Sequence, residues 1–445
     1  MDEIQLFVHY GLSFRSQFAM LSTTLFKQIR DGACTTKIPV LFMTASCTQE
    51  MFEQLQLLTG LRFYKDHRNI FWPSSGILMK RSIFTRVVYN TRPLTHFVST
   101  MGQKILSNPG HRFVFYANSR SLIEKSSEKY GEWLDKSEDI TSDYLKIVGT
   151  MKKEEKFHAM KLFCKPSTDA APFNPQVLFA TSGAANCGID NENIYAVFRA
   201  EIPPSCEDMT QEEGRAGRRV GANPSTDSYT ICISLESLIM LWRRIYVGTV
   251  ENNNYRKSLL FDVDIMLACI VVPTHCIKSV LAHKNSNPFN HKANIPIYLP
   301  HPCLHSCSYC CGEYNDMFPS LIRNGVCSVL MDLFSGDNRI SGDITFVPVL
   351  LDRIKKYPNV NRIIFGINSN KEPAPVMVKK MLLVLVSAKI LRHTGTVGTK
   401  DTNNTDYTPV LITAALAHSQ SSEVGGLLQY ALFDDRYWHR VKLII

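Results

Sequence analysis

Four stretches of this chain share one design, an apolar run of strand length that ends in small or polar residues. Residues 37–48 read Lys-Ile-Pro-Val-Leu-Phe-Met-Thr-Ala-Ser-Cys-Thr, 112–119 read Arg-Phe-Val-Phe-Tyr-Ala-Asn-Ser, 176–183 read Gln-Val-Leu-Phe-Ala-Thr-Ser-Gly, and Ile194 to Phe198 form a fourth copy. An unbroken apolar run of this length buries both of its faces, as a central strand of a parallel sheet does. A helix-like stretch from Leu122 to Leu134 follows the second run. Strands alternating with helices at this spacing imply an α/β domain built on a parallel sheet. Ligands of such sheets bind at the C-terminal ends of the strands, so the polar residues there are the ones to examine.

Composition sets the outer bounds. The chain has 445 residues, 45% of them hydrophobic and 20% charged, which is ordinary for a soluble globular protein and enough for two or more cored domains. No apolar run reaches membrane-spanning length. Met381 to Ala388 is short and follows Lys379 and Lys380, so it reads as a buried helix. The start, with Asp2 and Glu3, carries no basic-then-apolar signal, and an intracellular protein without a membrane partner is the expectation. The net charge of +9 is compatible with a polyanionic partner but does not establish one. Eight cysteines (Cys34, Cys47, Cys164, Cys187, Cys206, Cys232, Cys269, Cys327) stand singly among apolar neighbours and read as small buried hydrophobes in a reducing compartment.

The most informative segment is Gln211-Glu212-Glu213-Gly214-Arg215-Ala216-Gly217-Arg218-Arg219. Two arginines three apart are expected to share one helical face, Gly214 and Gly217 permit close backbone approach, and paired guanidinium groups suit the charge on a transferring γ-phosphate. Alone, such a segment is as often a solvated basic helix start. About 30 residues earlier stands Ala180-Thr181-Ser182-Gly183-Ala184-Ala185-Asn186-Cys187-Gly188-Ile189-Asp190. Together the two segments resemble motifs V and VI of superfamily 2 helicases, specifically the RecQ-like branch. The Gln-x-x-Gly-Arg-Ala-Gly-Arg of motif VI is filled by Gln211, Gly214, Arg215, Ala216, Gly217 and Arg218, and Gly188-Ile189-Asp190 matches the end of motif V.

The resemblance extends to the start of the chain. Asp2-Glu3-Ile4-Gln5 stands where the family has Asp-Glu-x-His, with Gln5 in place of the His. It implies that Asp2 helps hold Mg²⁺ and that Glu3 polarises the water attacking ATP. Tyr10-Gly11-Leu12-Ser13-Phe14-Arg15 is similar to the family's aromatic-rich loop, which implies that Tyr10, Phe14 and Arg15 contact single-stranded DNA. Thr44-Ala45-Ser46 matches motif III, Phe113 to Ser121 corresponds to motif IV, and Thr181 is implied to lie on the nucleic acid. Gly188, Asp190, Gly214 and Gly217 are implied to border the nucleotide, and Gln211, Arg215 and Arg218 to act on it. Nothing in the chain matches the phosphate-binding Gly-x-x-x-x-Gly-Lys-Ser/Thr; Met101-Gly102-Gln103-Lys104 lacks both its spacing and its hydroxyl. Residues 1–85 are therefore expected to be the last part of a first RecA-like domain, and much of the apolar surface of 1–80 to lack cover. Residues 86–248 are expected to be a complete second one.

Beyond about residue 250 the pattern changes. Cys303-x₃-Cys307-x₂-Cys310, with Cys276 upstream, has thiol spacing suited to tetrahedral Zn²⁺. Cys311 is an alternative to Cys310, and His275, His283, His301 and His305 are alternative nitrogen ligands. RecQ-like enzymes carry a four-cysteine zinc subdomain here, implied at 249–312, and a winged-helix domain after it, implied at 313–445. Lys379, Lys380, Lys389 and Arg392 read as phosphate contacts or, more often, a solvated helix face. The whole resemblance implies an ATP-dependent 3′–5′ DNA helicase of DNA repair and recombination, nuclear, using ATP, Mg²⁺ and Zn²⁺ and acting on single-stranded DNA and duplex junctions. Without its phosphate loop the chain reads alternatively as a DNA-binding module that turns over no ATP.

Overall fold

The computed structural model describes residues 4, 7, 20–31, 40–44, 49–61, 82–90, 92–137, 142–165, 174–185, 189–234, 237, 276–284 and 303–313. Its centre is a six-stranded, all-parallel sheet of β1 (Phe84–Tyr89), β2 (Arg112–Ala117), β3 (Ser142–Ile147), β4 (Asn174–Thr181), β5 (Ile194–Arg199) and β6 (Ser228–Ile233), in the order β1-β6-β5-β2-β4-β3. Three of the four apolar runs become β2, β4 and β5, adjacent at the middle of the sheet, and every residue of β2 is buried. The strands written with more polar residues, β1 and β3, occupy the edges.

Register explains the core. Phe115 on β2 sits opposite Phe179 on β4 and Phe198 on β5, which places three aromatic rings in a row on one face. The helices α3 (Pro93–Ser107), α4 (Arg120–Asp135) and α5 (Lys153–Cys164) follow β1, β2 and β3. Phe97 of α3 and Tyr130 of α4 close over that row, with Phe97 meeting Phe115 and Phe198 edge-on at 5.4 Å. Aromatic pairs in this geometry contribute about 0.5–1.5 kcal/mol each beyond the area they bury. Helix α4 starts where Ser119 caps it, its side chain accepting from Leu122 N at 3.1 Å. Met101-Gly102-Gln103-Lys104 lies inside α3, where Met101 and Gly102 are buried, Gly102 facing Trp133, and Gln103 and Lys104 are exposed.

The first apolar run behaves differently. Residues 40–44 belong to none of the strands among the described residues, and Leu41 and Met43 are exposed while Val40 and Phe42 pack inward. The expected two-sided burial is therefore corrected to one-sided contact. The inward face lies on a small cluster of Ile4, Phe7, Phe26, Met51 and Leu55, formed with the helical turns Ser22–Phe26 and α1 (Lys27–Arg30) and with α2 (Gln49–Thr59). Its outward face meets no second layer among the described residues. Met20, Leu25 and Leu57 are also exposed. Residues 86–248 were expected to be a complete RecA-like domain, and the first strand of the six-stranded sheet begins at Phe84. The winged-helix expectation for 313–445 lies outside the described residues apart from Glu313.

Candidate functional site

Two short helices, α6 (Ser182–Ala185) and α7 (Cys206–Glu213), follow β4 and β5. Helix α7 is capped by Ser205, whose hydroxyl accepts from Asp208 N at 3.0 Å, and carries Glu207 and Asp208 in its first turn, where they favour the helix dipole. It stops at Glu213. Gly214 is its C-cap, and Gly217 adopts φ +59°, a left-handed conformation that glycine tolerates. Arg215 and Arg218 thus lie beyond the helix, and their expected placement on one helical face is corrected. The turn at Gly217 sends them to different partners.

Arg215 is buried and donates from Nη1 to Ile189 O at 2.7 Å. Arg218 is one-third exposed; its Nε donates to Gly214 O at 2.9 Å and its Nη1 pairs with the exposed Asp190 carboxylate. Gly217 N donates to Ile194 O at 3.2 Å. The residues from Glu212 to Gly217 therefore run the length of β5, from its last residue, Arg199, back to its first. The arginine loop ends at the N-terminal end of that strand, opposite to where the general rule for parallel sheets directs attention. A methyl group at Gly217 would stand 2.4 Å from Ile83 Cγ2. Gly217→Ala should consequently lose about 1–3 kcal/mol of stability from strain and overpacking, seen as a lowered urea midpoint with an unchanged slope.

Thr181, half-buried, closes β4 at the opposite, C-terminal end, in register with Ala117. There Arg199, fully buried, gathers the ends of three strands. Its Nη1 donates to Ser182 Oγ and, at 2.9 Å, to Glu212 Oε1, its Nη2 donates to Asn118 Oδ1, and its Nε donates to Glu201 O at 3.1 Å. Tyr229 donates to the other Glu212 oxygen at 3.0 Å. Burial pushes the Glu212 carboxyl up to about 7 against the opposing pull of Arg199. Tyr116, on the sheet face away from the aromatic row, is fully buried, and its hydroxyl has no hydrogen-bond partner among the described residues. Sequence reading passed over Arg199, although a charged residue ending the run Ile194–Phe198 was the available signal.

A second cluster is made of sulfur. Helix α8 (Ile277–Lys284) starts just after Cys276, and a tight turn carries Cys303, Cys307 and Cys310, with Leu304 and His305 at φ 53° and 59°. The four sulfurs lie within 4.8 Å of one another and all four residues are buried. Cys307 Sγ stands 3.9 Å from Cys276 Sγ and 3.5 Å from Cys303 Sγ. A tetrahedral zinc–thiolate centre, with bonds near 2.3 Å, has sulfurs about 3.8 Å apart, so the residues fit such an ion. Cys310 N donates to Cys307 Sγ at 3.5 Å. Sulfur–sulfur hydrogen bonding to Cys276 and Cys307 holds the Cys303 thiol far below its ordinary range, while burial pushes Cys310 up. Of the alternatives, Cys311 turns its sulfur to Ser308 O, and His305 places Nδ1 3.0 Å from Cys310 O.

Gln211 lies half-buried on α7. Asp2, Glu3, Tyr10, Phe14, Arg15 and Gly188 lie outside the described residues. No helix among the described residues is long and apolar enough to cross a membrane.

Residues 97–220 match the family described as helicase conserved C-terminal domain, which spans α3 to the end of the arginine loop. The parallel α/β architecture accords with that domain of RecA-like helicases. No curated protein matches the chain. Among solved structures, it is similar to the C-terminal part of the Fun30 ATPase domain, at 15% identity over 32% of this chain and 40% of that one, TM-score 0.24. It is similar to Saccharomyces cerevisiae Dbp5 bound to RNA and ADP BeF3, at 10% identity over 60% of this chain and 62% of that one, TM-score 0.38. It is similar also to Mycobacterium smegmatis helicase Lhr bound to ssDNA and AMP-PNP, at 18% identity over 60% of this chain and 33% of that one, TM-score 0.35. The chain thus spans less than two thirds of the length of each of these three.

Proposed function

We propose that this chain is part of a RecQ-like superfamily 2 DNA motor, and that its parallel sheet is the second of two RecA-like domains. The observation that carries the reading is the contact between two sequence segments recognised separately. Arg215 holds the carbonyl of Ile189, and Arg218 pairs with Asp190, so the motif V end and the motif VI loop form one surface. On that surface Arg218 has the exposed guanidinium. Its Nη2 makes no hydrogen bond among the described residues, and exchanging Asp190 for a phosphate oxygen would leave its Nε anchored on Gly214 O. Arg215, buried, acts as the brace that sets the loop. Gln211, Gly188, Gly214 and Gly217 would frame the nucleotide edge. Guanidinium groups placed in this way stabilise charge on a transferring phosphoryl group.

Asp2 and Glu3 would serve Mg²⁺ and the attacking water. Tyr10, Phe14, Arg15 and, at the far end of β4, Thr181 would lie along single-stranded DNA. Cys276, Cys303, Cys307 and Cys310 would hold Zn²⁺, which when bound is structural and ties α8 to the 303–310 turn. The resemblance assigns the protein to the nucleus and to DNA repair and recombination at junctions. One observation favours a second reading. These 445 residues contain no Gly-x-x-x-x-Gly-Lys-Ser/Thr, so by themselves they suit a DNA-binding module better than a complete ATPase.

ATP turnover and single-stranded DNA binding by the purified 445-residue chain test both readings, beside Arg218→Ala. DNA binding that weakens with salt, without turnover, is the expected result. DNA-stimulated turnover abolished by Arg218→Ala would show that the nucleotide site is complete and favour the enzyme. Absence of DNA binding at low salt would overturn the proposal.

A further inference from the structure

The four-cysteine knot grips the sheet at one place. Ser306 O accepts from Thr85 N at 3.0 Å and Ser308 N donates to Thr85 O at 2.9 Å, so the turn carrying Cys307 pairs with edge strand β1 like a short extra strand. Ser308 Oγ also accepts from Val87 N at 3.3 Å. From the other arm of the knot, Lys278, two residues after Cys276, donates to Ile83 O at 2.5 Å. Lys278 Nζ stands 3.4 Å from Glu213 Oε1, and Thr85 Oγ1 donates to that oxygen at 2.5 Å. The side chains of this pair are 1% and 9% exposed, so both charges are removed from water and held by each other.

Glu213 is the last residue of α7, immediately before Gly214 and Arg215. Ile83, held by Lys278, is also the residue packed against Gly217. The knot therefore touches the arginine loop at both of its ends, through Glu213 and through Ile83. We propose that Lys278 and Glu213 are positioning residues that couple metal occupancy of the four-cysteine knot to the placement of the Gly214–Arg218 loop. The inference rests on the reading that the four cysteines hold a metal ion. With the ion bound, α8 and the 303–310 turn are one body that presses Lys278 onto Glu213. Without it, four buried thiols no longer share a centre, the two arms separate, and the loop loses its support from β1. Metal loss thus reaches the arginines without any ligand at the nucleotide site.

Hydrogen exchange on the full chain, with one zinc per chain and after stripping by a chelator under reducing conditions, tests this. Stripping should raise exchange in 303–312 and, by about tenfold, in 214–219, while 112–117 and 194–198 stay protected. Lys278→Met/Glu213→Gln, which removes both charges together, should retain zinc yet show raised exchange in 214–219 with the metal in place and no further rise on stripping. If stripping opens 303–312 and leaves 214–219 protected, the coupling is refuted and the metal reading stands. The same conclusion follows if the double variant keeps zinc and still responds as the parent does. A chain that takes up no zinc from the metal alone refutes both.

Discussion

Arg199→Met is expected to lower the unfolding free energy by about 3–5 kcal/mol, the loss that follows when one member of a buried, hydrogen-bonded ion pair is removed. Arg199 is fully buried and its guanidinium joins Asn118 after β2, Ser182 after β4 and Glu212 on α7. Methionine fills similar volume but satisfies none of them, and Glu212 is left buried with only the hydroxyls of Tyr229 and Ser182 beside it. The variant should also depend on pH in a defined sense. In the parent, burial raises the Glu212 carboxyl from 4.5 to about 7. A group raised in the folded state contributes stability that is fully present below its unfolded value and is lost as pH rises through its folded value. The parent should therefore lose stability from this group between about pH 4.5 and 7. Without Arg199 the carboxyl moves further up, so the deficit of Arg199→Met should widen from pH 6 to pH 9, because the group is protonated at the lower end and must ionise or stay perturbed at the upper. Urea unfolding at several pH values measures this, and Arg199→Met/Glu212→Gln should recover part of the loss. A deficit independent of pH would mean that Glu212 is not the group left uncompensated.

Cys307→Ser is expected to have the larger effect on the sulfur cluster. Cys307 Sγ is within hydrogen-bonding reach of Cys276 and Cys303 and accepts from Cys310 N. Removing it should take zinc content from near one per chain to near zero, since three thiolates cannot close a structural site. Zinc binding by such sites is linked to folding, with apparent free energies of about 10–16 kcal/mol in small zinc-folded peptides. Here the sheet has its own aromatic core, so the loss should appear as a lower melting temperature and as unfolding of 276–284 and 303–313, with the sheet persisting. Cys311→Ser, which alters a sulfur turned to Ser308 O, should retain the metal. Elemental analysis with thermal melting distinguishes the two. Loss of zinc in Cys311→Ser would exchange the roles of Cys310 and Cys311.

Much was legible in the sequence because it is written locally. The continuous apolar runs of β2, β4 and β5 announce buried parallel strands, since burial on both faces leaves no place for alternation. The spacing of Cys303, Cys307 and Cys310 marks a turn suited to one metal. Gly214 and Gly217 mark where a helix ends and a left-handed turn follows, and the arginines between and after them resemble one family's motif. The first run, 37–48, misled because two-sided burial depends on a second layer, which no stretch of the run itself encodes. Arg215 and Arg218 share no helical face, despite their three-residue spacing, because the helix ends at Gly214 and Gly217 turns the chain between them.

Only the tertiary structure decided which side chains meet. The strand order β1-β6-β5-β2-β4-β3 brings Asn118, Ser182 and Arg199 together from positions 17 to 81 residues apart along the chain. Docking of the cysteine knot on edge strand β1 brings Lys278 to Ile83, 195 residues away. Sequence periodicity states which face of an element is apolar, and that is a property of a few consecutive residues. The partner of a buried charge is chosen by sheet order, register and loop path, which become definite only when the whole core packs at once.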